Sequence, residues 1–353
     1  MEARAADQRR YRVAVEIAVA VTGGLSETLQ STPLLRTLRS GLPRAGLTLL
    51  CPSAADAIAD GIPAVDVVKP LRALDGHPGL GSTLSLTRPL RGSRVDAVLL
   101  CSTAPAMRLG AYFAAVPRRI GPSGGVTTVL LSDRVHPEVE ENRAATWLRA
   151  AVALGVDREL HAPAYEPGPE ARRMADRLVH GSGFADGRLL VAVTPGTGLA
   201  ETAAVAPGAT GWDPERYAYL ANQLALRHGA GIVILGSSAD RPAVERASID
   251  LGASATDLSG EIDLRIIAGV LARCDLLVCG DTPLLHLAAA MGTPVVGLFG
   301  PTDGRMAGPY GRDHRVIQAL AAHRGNGRLP GDQWNQMEQI RVEDVLAAIE
   351  ASI

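Results

Sequence analysis

The 353-residue chain is poor in aromatic side chains, 3% in all, and has one lysine, Lys69; apart from histidine, every other basic residue is arginine. A phosphate loop of the G-K-[ST] kind needs a lysine after glycine, and Lys69 stands in Val-Lys-Pro, so ATPases and kinases built on that loop are excluded. Cysteine is also scarce. Cys51, Cys101, Cys274 and Cys279 form no C-x-x-C pair, and a chain this long needs no disulfide staples. Their place in or beside apolar runs reads as buried thiols in a reducing cytosol. No uninterrupted apolar run reaches the roughly 18 residues of a membrane span. Arg9, Arg10 and Arg12 precede an apolar stretch, but Glu16 interrupts it, which suits a first strand over 12–21 rather than a secretion signal. The net charge of −2 argues against a nucleic-acid partner. No G-x-S-x-G elbow supports a hydrolase triad, and Gly196-Thr-Gly198 lacks the third glycine of a dinucleotide fingerprint.

What remains is a hydrophobic content of 47% and a charged content of 20%, enough to bury cores in two domains of ordinary size. Continuously apolar runs at 12–21, 47–51, 65–68, 95–101, 189–194, 232–235, 276–279 and 294–299 read as strands covered on both faces. Helical patterns lie between them at 33–39, 138–154, 214–227, 239–251, 264–272 and 283–291, with a closing amphipathic helix at 342–353. This is a parallel α/β arrangement. Three prolines crowd into 161–170, a linker that divides an N-terminal domain, 1–165, from a C-terminal domain, 166–353. The closing helix is a candidate to pack back on the N-terminal domain. The first half carries 19 basic and 15 acidic residues, the second 16 and 22, as suits two doubly wound domains facing a cleft. Such sheets hold ligands at the carboxyl ends of their strands.

The densest signal runs from Cys274 to Asp303, read as strand, turn, helix, turn, strand and glycine turn. Asp281 or Thr282 can cap the helix, and Pro283 suits its first position, where a missing N–H costs nothing. The helix start then aims the N–H groups of Leu284 and Leu285, and a positive dipole end, at the strand edge, an anion site suited to a diphosphate. His286 lies one turn in, at i,i+4 from Thr282, within reach of a phosphate or sugar. A capped helix with a core histidine accounts for the same residues without any ligand.

This segment resembles the signature of glycosyltransferase family 9, the heptosyltransferases, which reads approximately Asp-Ser/Thr-Gly-x-x-His-x-Ala-Ala-Ala-x-Gly-x-Pro, followed by Phe-Gly-Pro-Thr-Asp. The similarity spans nearly the whole chain: residues 26–39, 95–100, 117–121, 212–217 and 257–260, with Thr194-Pro-Gly196, match further family features. The resemblance implies a GT-B fold, two Rossmann-like domains, and inverting transfer of a sugar, typically heptose from an ADP-heptose, to an acceptor hydroxyl. Donor contacts would come from Thr194, Gly196, Asp281, Thr282, Leu284, Leu285 and His286. No metal or other cofactor is expected, in keeping with the lack of any Asp-x-Asp pair. Leaving-group charge then falls to helix starts and basic side chains. The family's base, an Asp six residues before the Pro of the first loop, corresponds to Glu27, one methylene longer; it also suits a helix-start carboxylate.

Two departures weaken the diphosphate grip. A basic residue usual two before the Trp212 position is Thr210 here, and the motif's Gly is Pro283. Arg305 is the candidate replacement cation. Arg118 and Arg119 are candidates for an anionic acceptor. The acceptor is a saccharide, lipid-linked as in a lipopolysaccharide core, or a small molecule of an antibiotic pathway. The expected location is the cytoplasm, with room for weak peripheral membrane contact. A catalytically degenerate nucleotide-sugar-binding protein and a GT-B-like epimerase are the alternatives.

Overall fold

A computed structural model describes residues 15–71, 80–184, 187–196, 211–248, 255–260, 263–300, 302–319 and 336–352. The chain divides into two compact units, 1–166 and 167–353.

The first unit follows the order β1 (Glu16–Ala20), α1 (Gly24–Gln30), α2 (Thr32–Gly41), β2 (Gly46–Cys51), β3 (Val67–Pro70), α3 (Leu80–Gly92), β4 (Ala97–Leu100), α4 (Pro105–Phe113), β5 (Arg118–Pro122), β6 (Asp133–Val135) and α5 (Arg143–Ala153). Its strands form one parallel sheet in the order β3-β2-β1-β4-β5-β6. Val19 pairs with Leu49 on one side and Leu99 on the other, and all three are fully buried, as strands covered on both faces require. The helix expected over 138–154 begins only at Arg143. Asn142 takes the Ala144 N–H on its side-chain oxygen at 3.0 Å and so defines the start.

The second unit continues with α6 (Gly168–Gly181), β7 (Leu190–Thr194), α7 (Pro214–His228), β8 (Gly231–Ile234), α8 (Arg241–Ser248), β9 (Ala255–Asp257), α9 (Leu264–Leu271), β10 (Leu276–Cys279), α10 (Pro283–Met291), β11 (Val295–Phe299), α11 (Gly304–Ala307), β12 (Arg315–Gln318) and α12 (Val342–Glu350). Its parallel sheet has the order β12-β11-β10-β7-β8-β9, the first unit's topology repeated. Val345, Leu346 and Ile349 of α12 join Leu220, Leu224, Val296 and Leu298 in this unit's core. The closing helix expected to fold back on the N-terminal domain is thus bound by its own apolar stripe to the C-terminal one.

In each sheet the chain starts at a central strand, winds outward to one edge, then returns to wind outward to the other. The order therefore reverses between β1 and β4, and again between β7 and β10. The crevice outside the carboxyl ends of such a pair is where doubly wound sheets bind ligands.

Candidate active site

At the first reversal, β1 runs out through Val21 into Thr22-Gly23-Gly24 and turns straight into α1. Gly24 has φ +68°, a conformation that favours glycine. Glu27 lies in the first turn of α1 and folds back over Gly23, where a Cβ would come within 2.1 Å of the Glu27 Cδ. Its side chain is 18% exposed, and Oε2 is buried with no hydrogen-bond partner. Arg143, at the start of α5, places Nη1 3.9 Å from Oε1. Burial pushes the Glu27 carboxyl above its ordinary value, against the opposing pull of Arg143 and of the Gly23 and Thr22 amides. Cys101, at the end of β4, is buried; loss of solvent raises its thiol, and the nearby Glu27 charge raises it further. A largely buried carboxylate with one unengaged oxygen and a raised pKa, at the carboxyl edge of the sheet, has the properties asked of a proton acceptor.

At the second reversal, Cys279 ends β10 directly opposite Thr194 at the end of β7. Thr282 follows as the N-cap of α10, and its hydroxyl and that of Thr194 flank the Cys279 thiol. Burial keeps that thiol strongly protonated, with Asp281 adding to the effect. Both threonine hydroxyls are buried, with the Cys279 sulfur, a weak hydrogen-bonding group, beside them and no oxygen or nitrogen partner. Thr282 therefore does not do what an N-cap threonine ordinarily does: its side chain takes no amide of the helix. Of the two amides expected at this helix start, the Leu285 N–H is already given to the Thr282 carbonyl at 3.1 Å, so its expected freedom is corrected. Pro283 has no N–H to offer, which leaves Leu284 as the candidate. His286 is buried on the same helix, 4% exposed, and Asp281 is half-buried. Gly196 packs against Asp240, where a Cβ would meet Oδ1 at 2.0 Å. Asp240 in turn accepts the Ser237 N–H and hydroxyl at 2.7 and 2.8 Å, fixing the loop after β8 against which Gly196 packs.

Two positioning groups escaped the sequence reading. The Tyr217 phenol takes a hydrogen bond from the Gly280 amide, and its ring packs edge-on against Trp212 at 4.9 Å. Trp212 Nε1 donates to the Ile340 carbonyl at 2.9 Å, so the quoted 212–217 stretch anchors the turn before Asp281. Gln318 holds the glycine turn after β11: its amide donates to the Phe299 and Gly300 carbonyls and accepts the Gly304 N–H, all at 2.9–3.0 Å. The Tyr217 signal was present in the 212–217 motif, but nothing local marks Gln318.

Three expected cations are accounted for otherwise. Arg305 forks onto Asp303 with Nε at 3.1 Å and Nη2 at 2.8 Å, so the proposed substitute phosphate ligand already holds a carboxylate. Arg118 and Arg119 open β5 and so stand at the amino edge of the first sheet, opposite the end where Glu27 lies. Arg118 binds Asp133 at 2.9 Å and the Ala153 carbonyl at 2.5 Å. Arg119 binds the Leu130 and Val116 carbonyls, both at 2.6 Å. As acceptor ligands they are corrected to structural ties. Thr210 lies outside the described residues. Among the described residues no group of three or more His, Cys, Asp or Glu side chains could hold a metal ion. No helix among them is long and apolar enough to cross a membrane.

Two Rossmann-like units of repeated topology make up the GT-B architecture, and solved structures share the fold. One is the family 9 glycosyltransferase of Veillonella parvula, with a TM-score of 0.77 and 20% identity over 96% of both chains. Another is the Escherichia coli ADP-heptose lps heptosyltransferase II, with a TM-score of 0.71 and 23% identity over 96% of this chain and 98% of that one. In sequence the chain is 26% identical over 312 residues to lipopolysaccharide heptosyltransferase 2 of Salmonella typhimurium, covering 85% of this chain and 86% of that protein. The model of glycosyltransferase family 9 (heptosyltransferase) matches residues 83–327, and the chain belongs to that family.

Proposed function

We propose that the chain is an inverting, metal-independent transferase that moves a heptose or closely related sugar from an ADP-heptose-like donor to an acceptor hydroxyl. The acceptor fits a saccharide of the lipopolysaccharide-core type, as the names of its relatives have it. Glu27 is the base that takes the acceptor proton as the hydroxyl attacks the anomeric carbon and the nucleoside diphosphate leaves. The start of α10, with Thr282, Thr194 and the Leu284 amide, receives the diphosphate, and Asp281 and His286 orient the nucleotide-sugar.

The observation that carries this reading is the uncapped helix start: Thr282 stands at the N-cap, buried, its hydroxyl beside the Cys279 thiol rather than on a helix amide, with the positive end of α10 beside it. An anion supplied from outside completes that cap. The reading of a degenerate binding protein draws on Pro283 and on the engaged Arg305, each of which removes a diphosphate contact.

Thermal-shift measurements with ADP-, GDP-, UDP- and TDP-sugars identify the donor, because a ligand bound only by the folded chain raises the melting temperature. Release of nucleoside diphosphate is then followed with and without saccharide acceptor. Release that requires the acceptor supports transfer, and acceptor-independent turnover supports an epimerase or hydrolase. Donor binding without any turnover supports the degenerate protein.

A further inference from the structure

Between Leu80 and Ser132 the chain has six arginines and one acidic residue, Asp96. This stretch holds α3, α4 and the residues from Val126 to Leu130, which pack side by side. Leu84, Arg88 and Arg91 follow i, i+4, i+7 spacing and form one exposed stripe on α3. The stripe continues onto α4, because Arg91 Nη2 donates to the Phe113 carbonyl at 2.6 Å. The exposed rings of Phe113 and Tyr112 lie 5.9 Å apart, and the Arg119 guanidinium sits over Tyr112 at 5.7 Å. Beyond Arg119, Val126 and Val129 are 89% and 73% exposed, and Leu84 is 73% exposed. The two acidic side chains that border the face are turned to other duties. Asp96 accepts the Glu16 amide at 2.9 Å, and Asp133 holds Arg118.

We propose that the α3–α4 face of the first unit is a docking surface for an anionic lipid bilayer. Arg88 and Arg91, exposed and without an ion pair among the described residues, supply attraction to anionic headgroups. The interleaved leucine, valines and aromatic rings supply the apolar insertion that distinguishes a membrane surface from a soluble polyanion, which rewards charge alone. The proposal stands independently of the donor assignment, since none of these residues belongs to either sheet-edge site.

The test is co-sedimentation of the full chain with phosphatidylcholine vesicles, with and without phosphatidylglycerol, at low and high salt. Binding is expected only with phosphatidylglycerol and is expected to weaken with salt. At roughly fivefold per arginine near such a surface, Arg88→Glu with Arg91→Glu is expected to weaken binding about 25-fold or more. Val126→Ser with Val129→Ser is expected to weaken it several-fold while the melting temperature stays unchanged. Equal binding to neutral vesicles, or no loss in either double variant, overturns the proposal. So does a failure to bind vesicles accompanied by self-association that Val126→Ser with Val129→Ser abolishes, which would assign the face to a second copy of the chain. Heparin binding without vesicle binding would assign it to a soluble polyanion and also overturn it.

Discussion

Replacing Glu27 by glutamine separates a catalytic carboxylate from a structural one. The side chain keeps its length and can still accept from the Gly23 and Thr22 amides, but it no longer takes a proton. A positioned general base contributes about 10²–10⁴-fold, so kcat is expected to fall by that factor, equivalent to about 3–5 kcal/mol of transition-state stabilisation. Stability is expected to move the other way. Burial raises the Glu27 pKa, so the folded chain holds this proton more tightly than the unfolded chain. The contribution of Glu27 to stability is full below its ordinary value of 4.5 and is lost as pH rises through the raised value. Above that raised value the native carboxylate is ionised at a cost that glutamine does not bear, and there Glu27→Gln is expected to melt at an equal or higher temperature. The wild-type kcat/KM profile should show an acid limb above the ordinary glutamate value, and that limb should vanish in the variant. Arg143→Gln removes a cation 3.9 Å away that favours ionisation, so it should move the limb to higher pH. Transfer that survives Glu27→Gln, or a limb that stays put in Arg143→Gln, would refute the assignment of the base.

Other substitutions probe the second site. Thr282→Val removes a hydroxyl that would meet a charged oxygen, a bond of about 1.5–3 kcal/mol, so donor Kd by calorimetry should rise about 10- to 100-fold with the fold intact. Pro283→Gly restores a main-chain donor to the helix start; donor affinity should improve while the melting temperature drops, since glycine loosens the first turn. A weaker donor complex in that variant would place the diphosphate elsewhere. Gln318→Leu leaves the buried Gly304 N–H and Gly300 carbonyl without their side-chain partner at about 1–3 kcal/mol each, so the melting temperature should fall by several degrees and donor KM should rise.

Central strands were readable because they are short, continuously apolar and bounded by turn residues: 47–51, 232–235, 276–279 and 294–299 all fall on or beside observed strands. The strands that composition conceals are β5, which opens on two arginines, and the edge strands β6, β9 and β12. An edge strand packs only part of its surface, so Asp133-Arg-Val135 or Ala255-Thr-Asp257 needs no apolar run. Helix α1 was hidden for a different reason. The residues Thr22-Gly23-Gly24 look like a loop, and the turn into the helix depends on the positive φ of Gly24, which no periodicity reveals. Of the candidate site residues, Thr194 and Glu27 were named through the family resemblance and Thr282 through its helix-start motif; all three follow central strands at the reversal points. The partners that set their behaviour, Arg143 for Glu27 and Tyr217 for the Gly280 turn, come from distant sequence and became visible only in three dimensions.

The misassigned arginines share a physical cause. A chain almost without lysine puts arginine wherever a cation or a long donor is wanted, and the guanidinium offers five N–H groups in a fork suited to main-chain carbonyls. Arg39 ties the Pro43, Ala45 and Ala64 carbonyls together. Arg108, almost fully buried, holds those of Pro122 and Gly124, and Arg216 reaches Glu338 and Ile340. In such a protein an arginine beside a motif is more informative as a loop clamp than as a ligand; Arg118 and Arg119 follow that pattern, while Arg305 is held by the Asp303 carboxylate. On the proposed reading, charge on a leaving diphosphate is met, among the described residues, by groups that the clamps leave open. These are the hydroxyls of Thr194 and Thr282 and the amide at the start of α10, which is why substitutions there should matter more than the loss of any arginine named in this site.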